Sequence, residues 1–383
     1  MIKYLGSKRL LVPVLGAMAS AAGARSAVDL FSGTTRVAQE FKRRGIRTTA
    51  SDRATYTGVL AGCYIATDAR DIDRTELAAI LAELQSTTPA RGYVTATFCE
   101  QARYFQPQNG MRIDAIRQRI EDDYAGTHWY PILLTSLLEA ADRVDSTTGI
   151  QMAYLKSWAR RSGRDLELRM PALLDGPGAV VVGDVMDTVD TLPQADLYYV
   201  DPPYNQHRYY ANYHVWETLV RWDEPEHYGV ACKRVDVRDE DTRSVFNSKR
   251  TMPAALADVL TRIRSEVVIV SYNDESWITA DAMERSLREA GHEMVAVLGF
   301  DSKRYVGASI GIHSPSGEKV GKVSHLRNTE LVFVAGPAEK VEAAREAAGA
   351  AKGGGRFSPG NTGKAASMNI TRKKDDASHV RTL

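Results

Sequence analysis

The stretch Ala195-Asp196-Leu197-Tyr198-Tyr199-Val200-Asp201-Pro202-Pro203-Tyr204 decides how the rest of the chain is read. Leu197 to Val200 are apolar or aromatic and uncharged, as a strand buried on both faces of a parallel sheet requires. A carboxylate, two prolines and an aromatic follow. Proline fixes φ and lacks an N–H, so Pro202 ends the strand and leaves its carbonyl free as an acceptor. In open parallel sheets, ligands sit beyond the carboxyl ends of the strands. Asp201, Pro202 and Tyr204 would therefore reach one site together. They would offer two acceptors for the hydrogens of a planar amino group and an aromatic face on which its ring can stack. An Asp-Pro pair alone also opens ordinary turns. The full tetrapeptide behind an apolar run is what points to chemistry.

Upstream, Ala27-Val28-Asp29-Leu30-Phe31-Ser32-Gly33 reads as a strand and a glycine turn. Helical spacing follows (Val37, Ala38, Phe41), with Gly45 as the natural C-cap. This is the first half of a nucleotide-binding βαβ unit. It lacks Gly-x-Gly-x-x-Gly, so no dinucleotide fingerprint is present. Ile46 to Ser51 forms a second short strand ending at Asp52, the position where an acid holds a ribose diol. Asp52 also fits as the N-cap of a helix from Ala54, and one residue can do both. Helix is expected over 57–65 and again over 74–84, the latter capped by Asp73. Ala179 to Gly183 resumes the sheet, with Asp184 at its ligand-facing end. Tyr4-Leu5-Gly6-Ser7-Lys8 makes a tight turn before a helix, too short for a phosphate-binding P-loop.

The chain has 383 residues, 44% hydrophobic and 25% charged, the proportions of a globular protein. Its 49 basic and 48 acidic residues nearly cancel, so any surface for nucleic acid must be local. No apolar run reaches membrane-spanning length, and no clean leader pattern opens the chain. Cys63, Cys99 and Cys232 are far apart, which argues against a metal set or a disulfide framework and fits a reducing cytoplasm.

From about Ser86 the alternation of strand and helix stops. The stretch to about Asp175 reads as mostly helical, rich in aromatics and in arginines such as Arg112, Arg117, Arg119, Arg160, Arg161, Arg164 and Arg169. It is an insert between two halves of an α/β domain, either facing nucleic acid or simply closing the site. After Tyr204, residues 205–217 interleave Arg208, Tyr209, Tyr210, Asn212, Tyr213, His214 and Trp216, a mixture suited to stacking bases and touching phosphates. Residues 224–250 lack periodicity and read as a mobile loop or a surface excursion. Strands follow at 265–272, 293–300 and 329–335, the last two as an antiparallel pair, with a helix at 280–290. Lys303-Arg304-Tyr305 lies between the last two strands, where two cations could engage a nucleic-acid backbone. Residues 338–351 form an alanine-rich helix, and a basic tail follows with little to bury.

Asp201-Pro202-Pro203-Tyr204 resembles the catalytic motif of amino-group methyltransferases acting on nucleic-acid bases. From Met1 to about Ala335 the chain resembles the Dam-type (alpha-class) adenine-specific DNA methyltransferases of restriction-modification systems. The resemblance implies an α/β, Rossmann-like S-adenosylmethionine-dependent methyltransferase sheet with a helical target-recognition insert. Residues 1–85 and 176–336 would form a discontinuous catalytic domain, 86–175 the insert, and 337–383 the alanine-rich helix and a disordered basic tail. Asp201, Pro202 and Tyr204 would be catalytic. Tyr4, Lys8, Asp29, Phe31, Gly33, Asp52, Asp184 and Asp201 would bind S-adenosyl-L-methionine, with Lys8 near its carboxylate. Arg208, Asn212, Tyr213, His214, Lys303 and Arg304 would contact double-stranded DNA carrying a flipped adenine. No metal or membrane is implied. A cognate restriction endonuclease is a candidate partner, and the expected setting is the bacterial cytoplasm at the nucleoid. The amine of cytosine, adenine in RNA, or a non-catalytic DNA-binding subunit of the same fold are the alternatives.

Overall fold

Strand residues alternate between two faces, and here both faces are covered. Leu197 and Tyr199 pack into one apolar cluster, while Tyr198 and Val200 pack into another on the opposite side. The sequence run is continuous rather than alternating for this reason. The hydroxyls carried into the interior are satisfied: Tyr199 donates to Ser271 Oγ at 2.9 Å and Tyr198 to the Pro193 carbonyl at 2.8 Å. The computed structural model describes residues 2–4, 8–155, 157–203, 208–273, 276–303 and 327–352.

The strands are β1 (Ser26–Leu30), β2 (Arg47–Asp52), β3 (Gly178–Val182), β4 (Ala195–Val200), β5 (His227–Tyr228), β6 (Lys233–Arg234), β7 (Ser265–Asn273), β8 (Met294–Lys303) and β9 (Arg327–Gly336). Seven of them form one sheet in the order β3-β2-β1-β4-β7-β9-β8, and β5 and β6 form a separate hairpin. Pairing is parallel from β3 through β7, then antiparallel through β9 to β8. The expected antiparallel final pair is present.

The helices are α1 (Val12–Ala21), α2 (Arg36–Arg43), α3 (Thr55–Ala61), α4 (Arg74–Gln85), α5 (Pro107–Tyr124), α6 (Tyr130–Val144), α7 (Val185–Thr188), α8 (Tyr209–Asn212), α9 (His214–Arg221), α10 (Met252–Arg262), α11 (Ala280–Glu289) and α12 (Ala338–Lys352). Helices α1, α2 and α12 cover one face of the sheet; α10 and α11 cover the other. The boundary expected at residue 336 is therefore too early: Val341, Ala344 and Ala348 of α12 are buried in the same cluster as α1. Small alanines let α12 lie close against α1, so this helix belongs to the domain rather than to a tail.

The single helix expected over 57–65 divides. After α3 the backbone widens into a π-helical turn, Gly62–Ala66. The buried Lys42 ammonium donates to the Ile65 and Thr67 carbonyls at 2.7 and 2.6 Å, satisfying acceptors that the helix end leaves open.

The insert is helical only as far as Val144. Beyond it, one short 3-10 turn at Arg160–Gly163 interrupts otherwise irregular chain up to β3. Short polar side chains there bond locally, as Thr147 Oγ1 does to Asp145 Oδ2 at 2.5 Å, and such bonds compete with helix. Nor is the insert a detachable cap. Leu133, Leu137 and Phe98 share one apolar cluster with Leu60 of α3 and Trp216 and Leu219 of α9. Most of its arginines are spent internally. Arg119 pairs with Glu83 and Asp123, Arg161 with Asp145, and Arg169 with Glu167. Arg160 and Arg164 stay exposed.

Arg117 is fully buried and donates to the Leu219 and Val220 carbonyls at 2.6 and 3.0 Å. Those are among the last carbonyls of α9, which the helix cannot satisfy itself. Replacing Arg117 with Ala should cost about 3 kcal/mol, because it orphans two buried acceptors and empties a packed site. Urea unfolding of the variant, read as a lowered midpoint with unchanged slope, checks this.

Candidate active site

The chain winds outward from β1 through β2 to β3, then restarts at β4 on the other side of β1. That reversal leaves a crevice beyond the carboxyl ends of β1 and β4, where open α/β sheets hold ligands. A cleft lies there, enclosing about 1040 Å³ of space that is partly open to solvent. The carboxyl end of each of the first four strands, or the turn after it, contributes to its wall: Phe31, Asp52, Asp184, and Asp201 with Pro202.

Immediately after β1 the backbone takes a left-handed conformation at Phe31 (φ 67°), unusual for a bulky residue. It carries the ring to an edge-on contact with Phe246, centroids 5.0 Å apart. Gly33 is also left-handed (φ 49°), and its N–H donates to Asp52 Oδ2 at 2.8 Å. A Cβ there would sit 3.0 Å from the Tyr4 ring, so glycine is required both by conformation and by space. Asp52 Oδ1 accepts from the Ala54 amide at 3.1 Å and from Thr57 Oγ1 at 3.0 Å. Asp52 thus ties the glycine turn to the start of α3 while facing the cleft. Burial pushes its pKa up, and these hydrogen bonds oppose the shift. Asp184 caps α7 through the Met186 amide and ion-pairs with Arg53 at 3.1 Å.

Asp201 stands at the end of β4. Its Oδ1 lies 3.0 Å from Lys8 Nζ, and Lys8 also bonds Glu330 of β9. Burial raises the Asp201 pKa to about 6; Lys8 opposes the rise and Glu330 adds to it. Lys8 was expected at the cofactor's carboxylate. Instead it lies between these two carboxylates and does not line the cleft. Asp29 does not line it either. That carboxylate is buried and accepts from the Ala38 amide at 2.9 Å, so it shapes the turn and α2 from behind. Tyr4 does line the cleft, stacked on Tyr213 and Tyr209 with centroids 4.9 and 5.5 Å away.

The residues expected at DNA divide. Arg208 lines the cleft. Asn212, Tyr213 and His214 are corrected: all three are buried and cannot meet a duplex. The insert meets some of their polar groups, while Asn212 Nδ2 and His214 Nδ1 are buried with no hydrogen-bond partner among the described residues. His214 Nε2 donates to the Gln151 carbonyl at 3.0 Å, and burial lowers its pKa to about 3, so the ring is neutral. Gln151 Oε1 accepts from the Val215 amide at 3.0 Å in the first turn of α9. Glu217 is buried too and accepts from the Thr55 amide at 3.1 Å and from Thr55 Oγ1 at 2.5 Å. From Asn212 to Glu217 the aromatic and polar alternation that reads as a base-stacking channel is thus the seam between insert and sheet, whereas Arg208, Tyr209 and Tyr210 line the cleft and 205–207 lie outside the described residues. Tyr204 and Arg304 lie outside the described residues, and Lys303 is the last residue of β8.

Sequence reading missed one wall of the cleft. Thr242, Ser244, Phe246 and Asn247 line it, where residues 224–250 read only as a mobile loop ordering over DNA or a surface excursion. Arg53 holds that wall in place by donating to the Arg243 carbonyl at 2.9 Å. A lone phenylalanine in a polar stretch was the available signal. Glu330, in a strand chosen for its apolar neighbours, gave none.

An acid at the end of β2, a partly buried carboxylate beside a proline at the end of β4, and a glycine turn without a phosphate fingerprint meet at one cleft of an α/β sheet. The family model described as D12 class N6 adenine-specific DNA methyltransferase matches residues 4–284, and the chain belongs to that family. It is 30% identical over 306 residues to modification methylase StsI of Streptococcus sanguinis, covering 75% of this chain and 46% of that protein, so it spans about half of that relative's length. It is 29% identical over 275 residues to type II methyltransferase M.NlaIII of Neisseria lactamica, covering 69% of this chain and 79% of that protein. M.CviAII of Paramecium bursaria Chlorella virus 1 is 28% identical over 279 residues, covering 70% and 81% respectively.

Gly33→Ala should cost about 1–2 kcal/mol, since the added methyl pays the left-handed penalty and presses on Tyr4. Thermal unfolding followed by circular dichroism measures the loss.

Proposed function

We propose that this chain transfers a methyl group from S-adenosyl-L-methionine to the exocyclic N6 amine of adenine at specific sites in DNA, as the modification enzyme of a restriction-modification system. The observation that carries this reading is the placement of Asp201 and Pro202 on the wall of the same cleft as Asp52 and Phe31. The cleft suits the cofactor chemically. Asp52 faces the cleft with three hydrogen bonds already accepted, leaving about one acceptor site for a ribose hydroxyl; the Phe31 and Phe246 rings offer an apolar flank for a purine, and a ligand without phosphates needs no glycine fingerprint. When bound, S-adenosyl-L-methionine supplies a methyl group already activated by its sulfonium.

The amine is a weak nucleophile because its lone pair is delocalised into the ring. Asp201 would accept one of its hydrogens and the Pro202 carbonyl the other, favouring a more tetrahedral nitrogen with its lone pair available. The Asp201 carboxylate would also stabilise the positive charge that develops there. Much of the remaining acceleration is positioning. The base must leave the duplex to reach such a pocket. Tyr204 would stack on it, and Arg208 would meet the backbone at the cleft mouth. The insert, 86–175, would read the target sequence, with Arg160 and Arg164 on its exposed side. Among the described residues no helix is long and apolar enough to cross a membrane. The proposed setting is the cytoplasm of a bacterium, beside the DNA and a cognate endonuclease.

Incubating the protein with labelled cofactor and unmethylated genomic DNA, then identifying the labelled nucleoside by mass spectrometry, tests the reading. N6-methyladenine is expected; N4-methylcytosine or label in RNA alone would replace it with a different amine. Asp201→Ala should reduce the rate by about 10²–10³-fold or more while calorimetry still shows cofactor binding. A protonated Asp201 cannot accept through the protonated oxygen. The wild-type rate should therefore fall as pH drops through about 6, tenfold per unit in the limiting region. Tyr204→Phe should keep much of the activity that Tyr204→Ala loses; equal losses would rule out stacking.

A further inference from the structure

Oδ1 of Asp201 already has a partner. The Lys8 ammonium lies 3.0 Å from it, and the target amine would have to compete for that oxygen. An isolated buried Lys–Asp pair would resist such competition, because freeing either member leaves an uncompensated charge. Here the ammonium has a second seat. Glu330, buried at 6% exposure, accepts from Lys8 on the far side of the cluster. It is carried on β9, in register with Asn273 of β7 and Phe300 of β8, and its strand belongs to the antiparallel edge of the sheet rather than to the cleft wall. One cation thus serves two carboxylates, and the cluster carries a surplus negative charge. Two further titratable groups face the cluster, the buried Asp29 carboxyl and the buried Tyr199 phenol, and the Asp201 charge adds to burial in raising the pKa of each.

We propose that Glu330 is a positioning residue of the methyl-transfer site, retaining the Lys8 ammonium when the target amine takes its place on Asp201 Oδ1. The inference rests on the proposed function. In the resting protein Lys8 pairs with both acids and keeps the partly buried Asp201 from being an uncompensated anion. When an amine enters, Lys8 stays on Glu330, so the cluster remains compensated and Asp201 is released to accept. Because Glu330 and Lys8 push on Asp201 with opposite sign, their removal should have opposite effects. These appear in the acid limb of the pH profile, which a merely structural role would leave in place.

The test measures single-turnover transfer of labelled methyl to unmethylated genomic DNA across pH. Glu330→Gln should move the acid limb down by roughly one pH unit, the effect of removing a neighbouring like charge. It should also lower the plateau about tenfold, because Lys8 then loses its second carboxylate and is held more firmly on Asp201. Lys8→Met should move the limb up. In the Lys8→Met background, adding Glu330→Gln should bring the limb down again, which keeps the test usable if Glu330→Gln alone does not fold. A limb unchanged by Glu330→Gln in either background, or shifts of the same sign for both single variants, overturns the proposal. A second readout needs no turnover. In protein labelled with ¹³C at aspartate carboxyls, the resonance missing from Asp201→Asn should titrate near pH 6 and move in the same directions. Absence of methyl transfer by the wild type would refute the proposed function, and the carboxyl titration would still decide the role of Glu330.

Discussion

The parallel pairing of β1 with β4 is the constraint on which the rest depends. Ala27 pairs with Leu197 and Leu30 with Val200, so Phe31 and Asp201 emerge side by side at one edge of the sheet. Because β2 and β3 continue outward from β1 in parallel register, Asp52 and Asp184 emerge along the same edge. Four segments separated by up to about 170 residues in sequence reach one cleft because strand polarity leaves their ends no other direction. A single antiparallel strand among these four would move one acid to the opposite edge.

Polar groups brought to that edge are organised by bonds to backbone amides more than by one another. Asp29 holds Ala38, Asp52 holds Gly33 and Ala54, and Asp184 holds Met186. Each acid therefore stabilises a turn or helix start while keeping the strand end in shape. Asp201 differs: it faces a lysine instead of an amide, so its charge state depends on two side chains from opposite ends of the chain, Lys8 and Glu330.

The insert contributes rigidity as well as any surface it offers. Gln151 closes the start of α9 and Arg117 closes its end, so residues 214–221 are fastened at both termini by the insert. Tyr213, at the head of that segment, stacks on Tyr4, which lines the cleft. A continuous packed path thus joins the insert core to the cleft wall. The two parts share an apolar cluster and would not be expected to unfold independently.

Much of this was legible in the sequence, because local physics decides it. Short, mostly apolar runs marked the parallel strands, the glycine turn at Gly33 marked the corner after β1, and the Asp201-Pro202 pair marked the end of β4. All of these depend on residues within a few positions of one another. What distant segments do to each other was not legible. Asn212, Tyr213 and His214 are as polar and aromatic as a nucleic-acid groove, yet Gln151 and Tyr104 bury them, and nothing near residue 212 announces those partners. Lys8 and Glu330 stand 322 residues apart, and only strand order brings them to one carboxylate. Strand ends and turns are thus written in short-range patterning. Burial and charge pairing are set by packing between segments that the linear order keeps apart, and the tertiary structure alone decided them.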